Sequence, residues 1–119
     1  MSKLARLNPK FKPAFDGVSA ARQAVLRLQQ QSVSIIEAYL FGSAAVGKNT
    51  ADSDLDILVV IPQDADLRTY FQACQKSGIS EIATDWLFKK QDEFLSEIQN
   101  GGISRIAVSE GVKVFPDGA

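Results

Sequence analysis

Histidine is absent from the sequence, and cysteine occurs once, as Cys74. Without histidine, the chain cannot form Ser-His-Asp or Cys-His nucleophile pairs, a histidine general base or histidine-ligated zinc. A single cysteine rules out an internal disulfide and fits a reducing compartment, so we expect a cytoplasmic protein. Any chemistry must therefore rest on carboxylates, hydroxyls, lysine, arginine or a hard metal ion.

Long apolar runs and an excess of one charge are also missing. No apolar run approaches the roughly 20 residues that span a bilayer, and the N-terminal sequence MSKLARLNPKFKPAF lacks the apolar core of a signal peptide. The formal net charge of −1 gives no basic field to attract nucleic acid, although a local basic patch remains compatible with it. We therefore expect neither a membrane nor a nucleic acid as partner.

The length and composition indicate one small globular domain. The chain has 119 residues, of which 45% are hydrophobic and 23% are charged, and these values are ordinary for a globular protein. Residues 1–14 contain Pro9, Pro13 and several basic residues, which predict an extended basic arm that can be flexible. Residues 15–119 are then predicted to form a single domain.

Apolar periodicity predicts helices that alternate with strands. Four helices are predicted: from a cap at Asp16 or Ser19 to about Gln31, from Leu67 to Ser77-Gly78, in QDEFLSEIQN and in SRIAVSE. Four strands are predicted, at 34–41, 55–61, 80–88 and in the C-terminal VKVF. We expect an α/β or α+β domain, with a small mixed sheet of about four strands and helices packed on it.

Three aspartates define the candidate site. A strand would place Asp54 and Asp56 on one face, with their Cα atoms roughly 6.5–7 Å apart. These carboxylates repel each other unless a cation lies between them, and oxygen ligands suit Mg²⁺ or Mn²⁺. Asp85 interrupts the apolar segment IATDWLF, where aspartate is disfavoured, and it completes a three-carboxylate cluster if 80–88 pairs with 55–61. The alternative is a solvated acidic turn, with Asp85 on an exposed edge strand.

A turn at Gly42-Ser43 follows the first predicted strand. Glycine lets the backbone bend sharply and lets a ligand approach closely, and Ser43 adds a hydroxyl donor. Residues 44–46 can form a short helix, whose free N–H groups suit a phosphate, and Gly47 would end it. The alternative is an ordinary strand-to-helix turn that binds nothing.

Together these segments carry a family resemblance. Gly42-Ser43, ten intervening residues and Asp54-Leu55-Asp56 match the Gly-Ser-x10-Asp-x-Asp signature of the DNA polymerase β-like nucleotidyltransferase superfamily. The passage FGSAAVGKNTADSDLDILV resembles the minimal nucleotidyltransferase group, and EIQNGGISRIAVSEGVKVF is similar to that group's closing helix and strand. The resemblance covers roughly residues 20–115 and implies a nucleotidyltransferase fold like the polymerase β palm.

The resemblance implies a role for each residue of the motif. Gly42 and Ser43 would hold the β- and γ-phosphates of a nucleotide. Asp54 and Asp56 would bind two Mg²⁺ ions, for which Mn²⁺ could substitute. Asp85 would bind one of these ions and help to activate the attacking hydroxyl.

One departure from the family pattern concerns the phosphate contacts. Many relatives carry arginines soon after the Gly-Ser pair, whereas this chain has GSAAVG. Lys48 is the candidate substitute, as a point charge without the bidentate geometry of arginine. The departure leaves room for a weak or inactive enzyme.

The resemblance also implies a partner. Minimal nucleotidyltransferases are commonly paired, as antitoxins, with small helical HEPN toxins, and some transfer AMP from ATP to a tyrosine hydroxyl of the toxin. We therefore expect a Mg²⁺-dependent AMPylation of a HEPN toxin that silences it. Two alternatives stay open: a binding module that covers its partner's site, and a free-standing adenylyltransferase for a small hydroxyl compound such as an aminoglycoside. A homo- or hetero-oligomer is compatible with each.

Overall fold

A mixed sheet with helices on both faces organises the chain. The computed structural model describes residues 13–77 and 82–116. The helices are α1 (Gly17–Gln29), α2 (Leu67–Ser77), α3 (Gln91–Asn100) and α4 (Ile103–Glu110), and the strands are β1 (Glu37–Phe41), β2 (Leu55–Ile61), β3 (Thr84–Lys90) and β4 (Val112–Phe115). None of the helices in these two ranges is long and apolar enough to cross a membrane.

The strand order places β2 and β1 at the centre of the sheet. The order is β3-β2-β1-β4, in which β1 runs antiparallel to β2 and β4 while β2 and β3 are parallel. A parallel pair needs a crossover connection, which α2 provides. β2 suits its central position because its sequence, LDILVVI, is almost entirely apolar and buried.

Two apolar layers hold the helices against the sheet. On one face, α1 and α2 pack against a core that includes Ile57. On the other face, Phe94 of α3 and Ala107 of α4 pack against Leu58. Because successive strand residues point to opposite faces, Asp56 shares the α3/α4 face with Leu58.

The structure confirms the predicted order of elements and shifts some of their ends. β2 has the predicted limits, whereas β1 begins at Glu37 rather than at residue 34. β3 spans Thr84–Lys90 rather than 80–88, because it follows β2 in parallel register as far as the pair of Ile61 with Lys90. The first two residues of that predicted strand lie outside the described part of the chain.

The last residues of the predicted basic arm are attached to the domain, while residues 1–12 lie outside the described part. The N–H of Ala14 donates to the carbonyl of Asn49 (3.2 Å), and Nδ2 of Asn49 donates to the carbonyl of Phe15 (2.8 Å). Asp16 then caps α1 as predicted, because its Oδ1 accepts a hydrogen bond from the third N–H of the helix (3.1 Å).

A polar network connects β3 with α3 and α4. Lys89 Nζ lies 3.3 Å from Glu93 Oε2 and 3.1 Å from Glu97 Oε2, and the lysine side chain is only 12% exposed. The Oε1 of Glu97 accepts hydrogen bonds from Oγ of the buried Ser104 (2.5 Å) and from its N–H (3.1 Å). The hydroxyl of Ser104 and the ammonium of Lys89 lower the pKa of Glu97. Lys89 therefore joins β3 to α3 through its two ion pairs.

We expect Ser104→Ala to reduce the free energy of unfolding by about 1–3 kcal/mol at neutral pH, because Glu97 loses its shortest hydrogen bond. A carboxylate whose folded pKa is lowered contributes stability above its unfolded pKa, and this contribution is lost as pH falls through the folded pKa. The difference from wild type should therefore shrink in acid. Ser109→Ala, on the exposed side of the same helix, is the matched control for urea unfolding. Equal stability of the two variants would contradict the assigned role.

Candidate active site

The turn after β1 requires glycine at position 42 for two reasons. Gly42 has a φ of +77°, a conformation that residues with a Cβ rarely adopt. A Cβ at this position would also collide with Oδ2 of Asp56. The carboxylate of Asp56 therefore lies directly against the Gly42 backbone, so the turn and this carboxylate form one unit.

A single 3₁₀ turn, Ser43–Ala45, follows Gly42 and replaces the short helix predicted at 44–46. The N–H of Ala45 donates to the Gly42 carbonyl (3.1 Å), and the N–H of Lys48 donates to the Ser43 carbonyl (3.0 Å). The start of α1 packs against this turn, where a Cβ at Gly17 would lie 2.5 Å from the Ala44 carbonyl oxygen. Gly42 and Ser43 remain exposed, so their outer side is open to a ligand.

Strand register brings two of the three aspartates together. Asp56 and Asp85 are direct partners in the β2–β3 ladder and so point to the same face. Burial raises the pKa of Asp56, and the negative charges of Asp85 and Asp54 and a hydrogen bond with Asp85 raise it further. Two carboxylates on one face repel each other, so the pair favours a cation between them.

The third aspartate, Asp54, stands apart from the strand. The prediction that Asp54 and Asp56 lie on one strand face was wrong, because the ladder begins at Leu55, whose N–H donates to the Ala83 carbonyl (2.9 Å). Asp54 is exposed in the preceding loop, from which its charge acts on Asp56. Within 13–77 and 82–116, no three His, Cys, Asp or Glu side chains form a group that could hold a metal ion. The predicted cluster is thus a close pair with Asp54 nearby.

Two polar residues of the loop between the turn and Asp54, Lys48 and Asn49, differ in their exposure. Lys48 is exposed, and its ammonium makes no ion pair with any described residue. Asn49 is 1% exposed and fixes the loop to the segment before α1 through its bond to Phe15. The sequence analysis missed Asn49, although an asparagine within the turn-rich segment GKNT is a signal for side-chain bonding to the backbone.

A cavity of about 680 Å³ lies behind the turn, between residues 13–18 and residues 44–49. Its lining is mainly apolar, with Phe15, Val18 and Val46 among its residues. None of the three aspartates lines it, so we do not assign it to the reacting groups.

Comparisons with known proteins show the family and the fold of the chain. Residues 18–114 match the family described as nucleotidyltransferase domain. A search of solved structures matches a proposed nucleotidyltransferase from Sulfolobus solfataricus with a TM-score of 0.53, 19% identity and 89% coverage of each chain. At this identity the match shows the fold alone, and it confirms the predicted fold class. The search of curated proteins gave no match.

We expect Gly42→Ala to weaken the binding of Mg-ATP by at least about tenfold, equivalent to about 1.4 kcal/mol, because the new Cβ displaces the Asp56 carboxylate. Gly47→Ala is the matched control. Gly47 also has a positive φ of +74°, but the nearest atom to its Cβ position is Cγ of Pro13 at 3.9 Å. Both variants carry backbone strain, and only Gly42→Ala places a Cβ against a carboxylate of the site. Calorimetric titration of both variants measures the difference, and equal losses would contradict the proposed contact.

We expect Asp56→Asn to unfold at a higher temperature than wild type at neutral pH in EDTA. The raised pKa means that folded protein holds this proton more tightly than unfolded chain, so the ionised carboxylate destabilises the fold. The advantage of the variant should disappear as pH falls through the raised pKa towards the ordinary value of 3.8. Asp52→Asn, at an exposed aspartate outside this set, should leave the melting temperature near wild type. A lower melting temperature for Asp56→Asn would refute the assigned repulsion.

Proposed function

This chain belongs to the nucleotidyltransferase domain family, and from that premise we propose that it transfers AMP from ATP to a hydroxyl group in a Mg²⁺-dependent reaction. The observation that carries the proposal is that the carboxylate of Asp56, the ladder partner of Asp85, lies against the Gly42 backbone. The turn has an open outer side, so carboxylates and a phosphate-sized ligand can meet at one end of the sheet.

The carboxylates fit hard divalent cations. Carboxylate oxygens are preferred ligands of Mg²⁺ and Mn²⁺, and the repulsion that raises the pKa of Asp56 is relieved by a cation. Asp54 and Asp56 would hold two Mg²⁺ ions and Asp85 would hold one of them, which requires Asp54 to move from its loop towards the Asp56–Asp85 pair. When bound, these ions stabilise charge on the attacking and leaving oxygens of an in-line displacement.

The chain's own residues position the nucleotide and accept a proton. Gly42 lets the β- and γ-phosphates approach the backbone, Ser43 donates its hydroxyl, and Lys48 offers a positive charge. Asp85 accepts the proton of the acceptor hydroxyl while that oxygen attacks the α-phosphorus, and the bond to the bridging oxygen breaks to release pyrophosphate.

The proposed acceptor is a tyrosine of a HEPN-type toxin, for which this chain would be the cytoplasmic antitoxin. The motif spacing supports this choice through its resemblance to the minimal nucleotidyltransferase group. Asp85 is exposed on the outermost strand, so a hydroxyl on a large protein can reach it from the sheet face.

Intact mass spectrometry tests the reaction directly. After incubation of the full chain with its HEPN partner, ATP and Mg²⁺, we expect the partner to gain the mass of AMP on a tyrosine. Asp54→Asn/Asp56→Asn and EDTA should each reduce the modification by at least about 10³-fold, because both remove stabilisation of the transferring phosphoryl group. An unmodified partner, when an active antitoxin modifies its own toxin in parallel, would reject the proposal.

One observation favours a second function, a binding module that neutralises a partner without transfer. The segment GSAAVG lacks the arginines that would hold phosphates in many relatives. The same double variant separates the two functions in a growth assay. Full neutralisation by Asp54→Asn/Asp56→Asn would show that binding suffices, whereas renewed toxicity would show that transfer is required.

A further inference from the structure

A cavity separates the loop after the Gly-Ser turn from the start of α1. Because residues 44–49 and residues 13–18 both line this space of about 680 Å³, the two segments pack directly against each other over only part of their length. At one end of the loop the contact is close, since a Cβ at Gly17 would lie 2.5 Å from the Ala44 carbonyl oxygen. At the other end, Asn49 joins the two segments through hydrogen bonds.

Asn49 makes two hydrogen bonds to the segment before α1. Its Nδ2 donates to the Phe15 carbonyl (2.8 Å), and its own carbonyl accepts the N–H of Ala14 (3.2 Å). The residue is 1% exposed, and its Oδ1 has no hydrogen-bond partner in the described part of the chain. A buried amide oxygen without a partner destabilises the folded protein and so offsets the gain from the bond to Phe15. Net stability therefore does not account for an amide at this position.

The loop that Asn49 anchors carries Lys48. The N–H of Lys48 donates to the Ser43 carbonyl (3.0 Å), which closes residues 43–48 into a compact turn. The ammonium of Lys48 is exposed and makes no ion pair with any described residue. The backbone of Lys48 is thus fixed on both sides, to the turn at Ser43 and, through Asn49, to the segment before α1.

We propose that Asn49 is a positioning residue, whose amide keeps the backbone of Lys48 beside Ser43 for contact with phosphate. This role rests on the proposed function, in which both residues bind the phosphates of ATP. Lysine is a point charge on a flexible stem, so its attraction for a phosphate depends on where its backbone is held. A backbone that is fixed before binding loses less conformational entropy when the ligand arrives. The anchor therefore compensates in part for the absence of arginine from GSAAVG.

Asn49→Leu tests the anchor with little change in shape, because leucine also branches at Cγ. The variant loses the bond to Phe15 together with the unpaired Oδ1, so its melting temperature should stay near wild type. In calorimetric titration we expect it to bind Mg-ATP at least about tenfold more weakly. Asn49→Ala, which removes the same bond without a larger apolar side chain, should show the same loss. Ser53→Ala is the matched control and should bind like wild type, because it removes only a bond within the loop, from the Thr50 N–H to Oγ of Ser53 (2.8 Å).

Lys48→Met distinguishes positioning from a general weakening of the site. If Asn49 acts through Lys48, the loss of Mg-ATP affinity that Lys48→Met causes should be at least about threefold smaller in the Asn49→Leu background than in wild type. A residue that contributes only to stability would leave the two losses additive. Additive losses, or wild-type affinity in Asn49→Leu, would overturn the positioning role.

Hydrogen exchange tests the anchor in the absence of nucleotide. The Lys48 N–H should exchange at least about tenfold faster in Asn49→Leu than in wild type, whereas the Leu58 N–H, in the buried β2, should keep its wild-type rate. Equal acceleration at both amides would show a global loss of stability and would overturn the local role. A wild type that does not bind Mg-ATP would reject the proposed function and the positioning role with it. Unchanged affinity in Asn49→Leu would reject the positioning role alone.

Discussion

The parallel register of β2 and β3 is the constraint on which the site depends. It places Asp85 beside Asp56, although the two residues lie far apart in the sequence, on either side of α2. A slip of one residue would turn Asp85 to the opposite face and bring Trp86 onto the face of the carboxylates. The apolar residues of both strands resist this slip, because Leu87 and the Trp86–Phe88 pair pack in different cores. Core packing therefore determines where the charges meet.

Repulsion between carboxylates destabilises the folded protein at this end of the sheet. Asp56 is half-buried among like charges and against the Gly42 backbone, so its ionised form is unfavourable without a cation. Stability is provided by the remainder of β2, which is buried, and by the polar network of Lys89, Glu97 and Ser104 on the same face. A site that is unfavourable alone and relieved by a cation has the electrostatics of a binding centre.

Sequence reasoning succeeded where a pattern is local and failed where tertiary pairing decides. The almost entirely apolar segment LDILVVI predicts the limits of β2, and the aspartate inside IATDWLF is conspicuous from its apolar neighbours alone. The ends of β3 depend on how far its neighbour extends, which no local pattern records. The prediction placed Asp54 on the strand because it extended the alternation of side chains one residue before Leu55, where the β2–β3 ladder begins. The two glutamate partners of Lys89 follow from the arrangement of α3 beside β3, which no local pattern records.

The proposed function raises a further physical question, which is how this chain would balance the charge of a triphosphate. Three carboxylates bring negative charge to the same end of the sheet as the phosphates, so cations must supply the attraction. Lys48 lies on the loop that leaves the Gly-Ser turn, and its ammonium is available. Bound Mg²⁺ would contribute more charge, because each ion is divalent and directly contacts oxygen. In the proposed reaction these sources act through different elements, so the absence of arginine from GSAAVG would weaken one phosphate contact without removing the electrostatic basis of transfer.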